Sequence, residues 1–390
     1  MFENRDTVEE FWSLSDVDTA RENASDTSVE NFLCAFGKFL GVHESRLQVA
    51  PSGKAALEGL LKARKDRRPV VMVPALNCVR VKEAIEAANC EVQTYDFEFQ
   101  PGRFNWDIVL DSITDQVGVL IVTHLYGVPV DLRKARDFCN AKGILLIEDC
   151  AQTLGGYIDG RQVGTWGDAA IFSFSYDKPI SLGWGGIAII NSQDMFQENG
   201  NAPQALPTID PSYEYDLLIN FMKSMNLRRS RINKTKKGMS SIFRRAYYRF
   251  SRAPTYDVST SIGSIRAELG ILCLERYPKI RSIRNANAEI FSSKCSLVSW
   301  PVMQQDIQPA WLKQKVFVGG PAQLNSISIA LCKRGIRAGN FNWPELITGN
   351  TPQSAPNANQ VTSCWMYIPI HQKLKVSEIE NIISVIREHL

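Results

Sequence analysis

The chain has 390 residues, 44% hydrophobic and 22% charged, with a net charge of +3, which is ordinary for a soluble globular protein with a sizeable core in one large domain and a smaller partner, or in two domains. No apolar run approaches the roughly 20 residues that span a bilayer, and the acidic, mixed start MFENRDTVEEFW does not read as a targeting signal. Nine scattered cysteines, with no CxxC pair and no zinc-like Cys/His spacing, predict reduced thiols, no metal site and a cytoplasmic protein.

Residues 50–192 alternate short apolar runs with helix-like stretches, the pattern of a largely parallel sheet covered by helices. Val70–Val73, Val117–Thr123, Ile144–Ile147, Ala169–Phe174 and Gly186–Ile190 are continuous rather than alternating, and so predict buried strands. Val79–Ala88 and Leu132–Lys142 have helical composition. Residues 193–212 read as a loop or linker. Leu217, Leu218, Phe221, Met222 and Met225 then share one helical face, and Ile242, Phe243, Ala246, Tyr247 and Phe250 repeat that spacing. Across this region, residues 223–252 hold eleven Lys/Arg and no Asp/Glu, which leaves 33 basic against 41 acidic residues elsewhere. A stronger helix covers Ile262–Tyr277, bending or ending at Pro278. The last hundred residues mix both signals and finish in a helix near Val376–His389, predicting a smaller α+β domain.

Four stretches carry chemistry. Ser52-Gly53-Lys54-Ala55-Ala56-Leu57 opens a helix whose first N–H groups suit a phosphate, with glycine permitting close approach; the same residues also read as an ordinary N-cap. Leu146-Ile147-Glu148-Asp149-Cys150-Ala151-Gln152 delivers Asp149 at the carboxyl end of a strand, where open α/β sheets bind ligands. A carboxylate there suits the protonated pyridine nitrogen of pyridoxal phosphate, with Gln152 reaching the phenolic oxygen; the plainer alternative is a cap on the following turn. Gly164-Thr165-Trp166-Gly167-Asp168 leads through a strand to Ser173-Phe174-Ser175-Tyr176-Asp177-Lys178. A lysine in a desolvating pocket loses its proton more readily, which favours imine formation, whereas an arbitrary lysine is solvated. Gly183-Trp184-Gly185-Gly186 then supplies the turn that close packing against a ligand requires.

These stretches, with His124-Leu125-Tyr126-Gly127, resemble the DegT/DnrJ/EryC1/StrS family of pyridoxal-phosphate sugar aminotransferases. The resemblance is closest over residues 50–192 and continues more loosely through Ala267-Glu268-Leu269-Gly270 and Ile368-Pro369-Ile370-His371. It implies an α/β, PLP-dependent transferase fold of type I, the aspartate-aminotransferase fold. That fold has a mostly parallel central sheet with helices on both faces, plus a smaller α+β C-terminal domain. Residues 1–255 would form the cofactor-binding domain, with 193–257 a basic, family-atypical insert, and 256–390 the small domain. The family also implies pyridoxal 5'-phosphate as cofactor and a homodimer with active sites at the subunit interface. Lys178 resembles the lysine that binds the cofactor covalently and shuttles the proton. Asp149 matches the partner of the pyridine nitrogen, Gln152 that of the phenolic oxygen, and Ser173 a phosphate ligand joined by the main chain of Gly53 and Lys54.

The implied reaction moves an amino group from an amino acid, L-glutamate foremost, to a keto group on a nucleotide-linked sugar or related metabolite. An elimination or dehydration on the same scaffold, or a non-catalytic regulatory homologue, are the alternatives. Dehydratase relatives replace the lysine by histidine, so Lys178 favours transamination. Three positions depart from the family. Cys78 stands where many members place an aromatic residue against the cofactor ring, Lys54 replaces a threonine, and Ser259 falls near an asparagine that reaches across the dimer. The basic segment 223–252 suits an anionic substrate, an anionic membrane surface or a solvated helix pair; nucleic acid is not expected. No histidine is assigned a catalytic role.

Overall fold

Seven strands form the central sheet: β1 (Leu47–Ala50), β2 (Val70–Pro74), β3 (Glu91–Tyr95), β4 (Val117–Thr123), β5 (Leu145–Asp149), β6 (Ala169–Ser173) and β7 (Gly186–Ile190). They lie in the order β1-β7-β6-β5-β4-β2-β3. The five strands β3, β2, β4, β5 and β6 are parallel, β7 returns antiparallel to β6, and β1 is antiparallel to β7. This computed structural model describes residues 12–96, 105–197, 209–235, 260–295, 306–334, 336, 338, 345–346 and 355–390.

Successive strand residues face opposite sides. Met72, Leu120, Leu146, Phe172 and Ile187 pack on one side with α1 (Leu14–Asn23), α2 (Ser28–Leu40) and the long helix Ser264–Lys294. Val71, Val119, Ile147, Ile171 and Ala188 pack on the other with α3 (Gly53–Ala63) and α4 (Val79–Ala87). Because both faces are covered, the central strands carry unbroken apolar runs, and each buried Val, Leu or Ile contributes roughly 1.5–3 kcal/mol relative to exposure. All five expected strands form, with ends shifted by one residue at most save at β5, which runs on to Asp149. The edge strands β1 and β3 were not anticipated. In β3, EVQTY, only Tyr95 is buried, so an apolar run never develops.

The expected helices form at Val79–Ala87, Arg133–Lys142 and Val376–Glu388. Leu218, Phe221 and Met225 of the helix Pro211–Thr235 enter the sheet's first core as their spacing predicts. Residues 198–208 of the expected loop, the helical face Ile242–Phe250 and Ser259 lie outside the described residues, as do the side chains of 226–235. Pro278 neither ends nor divides its helix, which runs unbroken from Ser264 to Lys294. The proline forfeits one main-chain donor, but buried anchors lie on both sides of it. Tyr277 Oη donates to Leu154 O at 2.7 Å, and Asn287 Nδ2 donates to Ile370 O at 3.2 Å.

Beyond this helix, Gln314–Phe317 pairs antiparallel with Trp365–Ile368. Helices Pro321–Lys333 and Val376–Glu388 cover the pair around Val316, Leu331, Ile368 and Ile382. A separate cluster of Leu76, Tyr126, Trp311, Trp365 and Ile370 joins this part to the sheet. All nine cysteines are free thiols. Among the described residues, no helix is long and apolar enough to cross a membrane.

Candidate active site

The parallel strands deliver Pro74, Thr123, Asp149 and Ser173 to one edge of the sheet, and antiparallel β7 starts there at Gly186, opposite Ser173. Asp149 is buried among polar partners. Its Oδ1 accepts from Ala151 N at 3.0 Å, and its Oδ2 accepts from Thr123 Oγ1 at 3.3 Å. Asn77 Nδ2 fixes that hydroxyl at 2.8 Å. Burial raises the Asp149 carboxyl above its ordinary range, against the pull of the Ala151 N–H, Lys178 and His124.

Lys178 follows β6 on a short loop and is buried at 7% exposure. Its Nζ lies 3.6 Å from Asp177 Oδ1. The sequence suggested that burial would make this amine lose its proton readily. Burial does pull in that direction, but Asp177, Cys78, Asp149 and Tyr176 outweigh it and hold the amine above its ordinary value. Lys178 thus lies within electrostatic reach of both Asp177 and Asp149, and both favour its charged form. Cys78, at the N-cap of α4, is near enough for its thiol to bear on the same amine.

Beside them, the N-terminus of α3 abuts the end of β6. A Cβ on Gly53 would meet Ser173 Cβ at 3.0 Å and Oγ at 3.4 Å, and one on Gly186 would meet Gly53 N and Ser52 C at 2.7 Å. The glycine turn 183–186 is thus pressed against the protein's own main chain, not only toward a ligand. Ser52 Oγ caps the helix by accepting from Ala55 N at 3.1 Å. With Ala55 N taken by that cap, the N–H groups of Gly53 and Lys54 are those left without an acceptor inside the helix. Lys54 turns along the helix, with its Nζ 3.8 Å from Glu58 Oε2, so any contribution of residue 54 at this corner is its main-chain N–H.

Gln152 Oε1 accepts from Tyr126 N at 3.0 Å, so its Nε2 is the donor it has to offer. Tyr126 has φ of 62°, and its carbonyl accepts from Leu312 N at 3.0 Å and Lys313 N at 3.3 Å. The loop after β4 therefore seats the C-terminal part on this edge, and Gly127 lies against Ala310 with no space for a side chain.

Glu148, one residue before Asp149, faces the other way. Its Oε1 accepts from Trp166 N and Gly167 N at 2.7 Å each, and its Oε2 from Gly164 N at 2.8 Å. The Gly-Thr-Trp-Gly-Asp motif thus closes on a buried carboxylate rather than on the site. His124 Nδ1 accepts from Val130 N at 3.0 Å, so its Nε2 carries the proton and donates to Glu148 at 3.2 Å. His124, Glu148 and Cys150 lie close enough to hold a metal, but the first two have their polar atoms committed to these bonds.

Two buried residues near the site escaped the sequence reading. Lys313 and Lys315 rest against Tyr367, and Lys315 against Tyr126 as well. Alternating lysines in a short strand read as a solvated face, so no signal marked them.

Several known proteins are similar to this chain in sequence or in fold. GDP-perosamine synthase of Vibrio cholerae is 26% identical over 55% of this chain and 61% of its own length. The dTDP-3-amino-3,4,6-trideoxy-alpha-D-glucose transaminase of Micromonospora megalomicea subsp. nigra is 31% identical over 43% and 44%. These alignments span about half of the relatives' lengths. The structure of AtS13 from Actinomadura melliaura matches all of both chains with a TM-score of 0.75 at 18% identity. That of the aminotransferase TlmJ from Streptoalloteichus hindustanus covers 98% of each at 0.73 and 20%. Residues 5–387 match the DegT/DnrJ/EryC1/StrS aminotransferase family, and the chain belongs to it.

Proposed function

We propose that the protein is a pyridoxal-phosphate-dependent aminotransferase. It moves an amino group from an amino acid, L-glutamate foremost, to a keto group on a nucleotide-linked sugar. The observation that carries this is the pairing, at one sheet edge, of a buried lysine with a buried carboxylate that act on each other electrostatically, Lys178 and Asp149. The residues fit the group. Gly53, Ser173 and Gly186 pack together at the N-terminus of α3, so the Ser173 hydroxyl and the first main-chain N–H groups of that helix lie at one corner, which suits a phosphate.

When bound, pyridoxal phosphate supplies an electrophilic carbon and a ring that withdraws electrons from the substrate carbon. Lys178 would hold it covalently, and its Nζ would be the acid–base group that accepts the proton given up by the substrate carbon and delivers it to a different carbon. That role needs a neutral amine, and the contact with Asp177 at 3.6 Å opposes its formation while it lasts. Asp149 would be the partner of the pyridine nitrogen, and Thr123 and Ala151 fix its orientation. Ser173 Oγ, with the main chain of Gly53 and Lys54, receives the phosphate, and Gln152 Nε2 donates to the phenolic oxygen. Cys78 borders the amine in place of a stacking ring. Residues 1–255 form the cofactor-binding domain and 256–390 the smaller one, and the long helix contributes to both cores. A cytoplasmic homodimer is the assembly this reading assigns.

The test is spectroscopic. Glutamate added to the purified, cofactor-loaded protein converts the cofactor to its amine form and releases 2-oxoglutarate, and a panel of nucleotide-linked keto sugars restores the original spectrum. An unchanged spectrum with glutamate and every other amino acid overturns the proposal.

A further inference from the structure

Lys315 is 1% exposed and Lys313 is 5% exposed, both on one face of the strand Gln314–Phe317 and the residue before it. Lys315 Nζ lies 4.7 Å from the centre of the Tyr126 ring and 5.7 Å from that of Tyr367, and Lys313 Nζ lies 5.1 Å from Tyr367. Burying an ammonium costs several kcal/mol, and an aromatic face returns about 2 kcal/mol. Among the described residues, no carboxylate offsets the burial of Lys315. Burial, with Lys313 adding to it, brings the amine down to about 7. Lys313 has Asp177 within electrostatic reach, whereas Lys315 has, among the described residues, only aromatic faces and a like charge beside it, so an anion arriving from outside would restore its charge.

Their position says which anion. Lys313 acts on Asp177, the residue next to Lys178. Tyr126, whose ring carries Lys315, takes its N–H to Gln152 and its carbonyl to Leu312 and Lys313. The pair is thereby locked to the Lys178 side of the site, not to the Gly53–Ser173 corner. An amino-acid donor must bring its nitrogen to that amine, and its carboxylate is attached to the same carbon. A sugar-linked diphosphate stands several bonds from its reacting keto group.

We propose that Lys315, with Lys313, binds the carboxylate of the amino-acid donor. This rests on the transamination reading above. The test uses the cofactor-loaded full chain as wild type, Lys315→Met, Lys315→Arg and Lys313→Met. The half-saturating concentration of L-glutamate is read from the cofactor spectrum, and GDP and UDP affinities by calorimetry. Lys315→Met is expected to raise the glutamate value at least tenfold, with Lys315→Arg recovering most of it and GDP and UDP binding within twofold of wild type. Lys313→Met, expected to raise it several-fold, provides a second reading should Lys315→Met fail to fold. Unchanged glutamate values in the methionine variants overturn this inference alone, as does a loss confined to GDP or UDP. A wild type that holds the cofactor on Lys178 but reacts with no amino acid overturns it together with the transamination reading.

Discussion

Replacing Glu148 by glutamine keeps the side chain's shape and isolates what its second oxygen does. The carboxylate takes four donors: Trp166 N and Gly167 N on Oε1, Gly164 N and His124 Nε2 on Oε2. A glutamine can keep the first pair but turns an NH2 toward the second. His124 cannot escape by shifting its proton, because Nδ1 already accepts from Val130 N. One buried main-chain N–H is then orphaned at about 1–3 kcal/mol, a buried imidazole N–H faces another donor, and two charge-assisted bonds weaken. Together these give a loss of roughly 3–5 kcal/mol, a large share of the 5–15 kcal/mol typical of a folded domain. Urea denaturation of the apo-protein, followed by tryptophan fluorescence because Trp166 is in the affected loop, measures it. A loss below about 1 kcal/mol refutes the claim that Glu148 holds the loop.

Three further outcomes follow from the geometry. Gly186→Ala puts a methyl 2.7 Å from the main chain at Gly53 N and Ser52 C; it should cost about 1–3 kcal/mol of stability and weaken pyridoxal-phosphate affinity at least tenfold by absorbance titration. Asp16, bound by Arg276 and capping α1, has its carboxyl held down at about 2, below the ordinary 3.8, despite partial burial. Its contribution is present above pH 3.8 and disappears as pH falls toward 2, so Asp16→Asn should cost about 1–2 kcal/mol at pH 7, screening included, and much less at pH 2 by thermal unfolding. Gly270 lies directly under the Phe32 ring where α2 crosses the long helix, and Gly270→Ala should lower stability by about 1–3 kcal/mol in urea, since helix propensity alone would predict a gain.

The sheet was legible because burial on both faces writes itself into the chain as uninterrupted apolar runs, as in VGVLIVT at β4. Its edges were not, since Glu91–Tyr95 needs only one buried residue. The order of Asp149, Gln152, Ser173 and Lys178 was readable because strand ends and local loops position them. Three features were hidden because each depends on how charges or partners come together in the fold. Asp177 and Asp149 jointly reverse the expected effect of burial on Lys178. The Gly164–Asp168 loop serves Glu148, and a face of alternating lysines becomes buried only once Tyr126 and Tyr367 close over it. Pro278 belongs with them, because packing at Tyr277 and Asn287 sustains a helix that local chemistry would interrupt.

The account depends on the bond between cofactor and Lys178. Borohydride reduction of the cofactor-loaded protein, followed by peptide mass spectrometry, should place a single pyridoxyl-phosphate mass on the Ser173–Lys178 segment, absent after Lys178→Ala. A modification on any other lysine in the wild type, or none after saturation with pyridoxal phosphate, contradicts it.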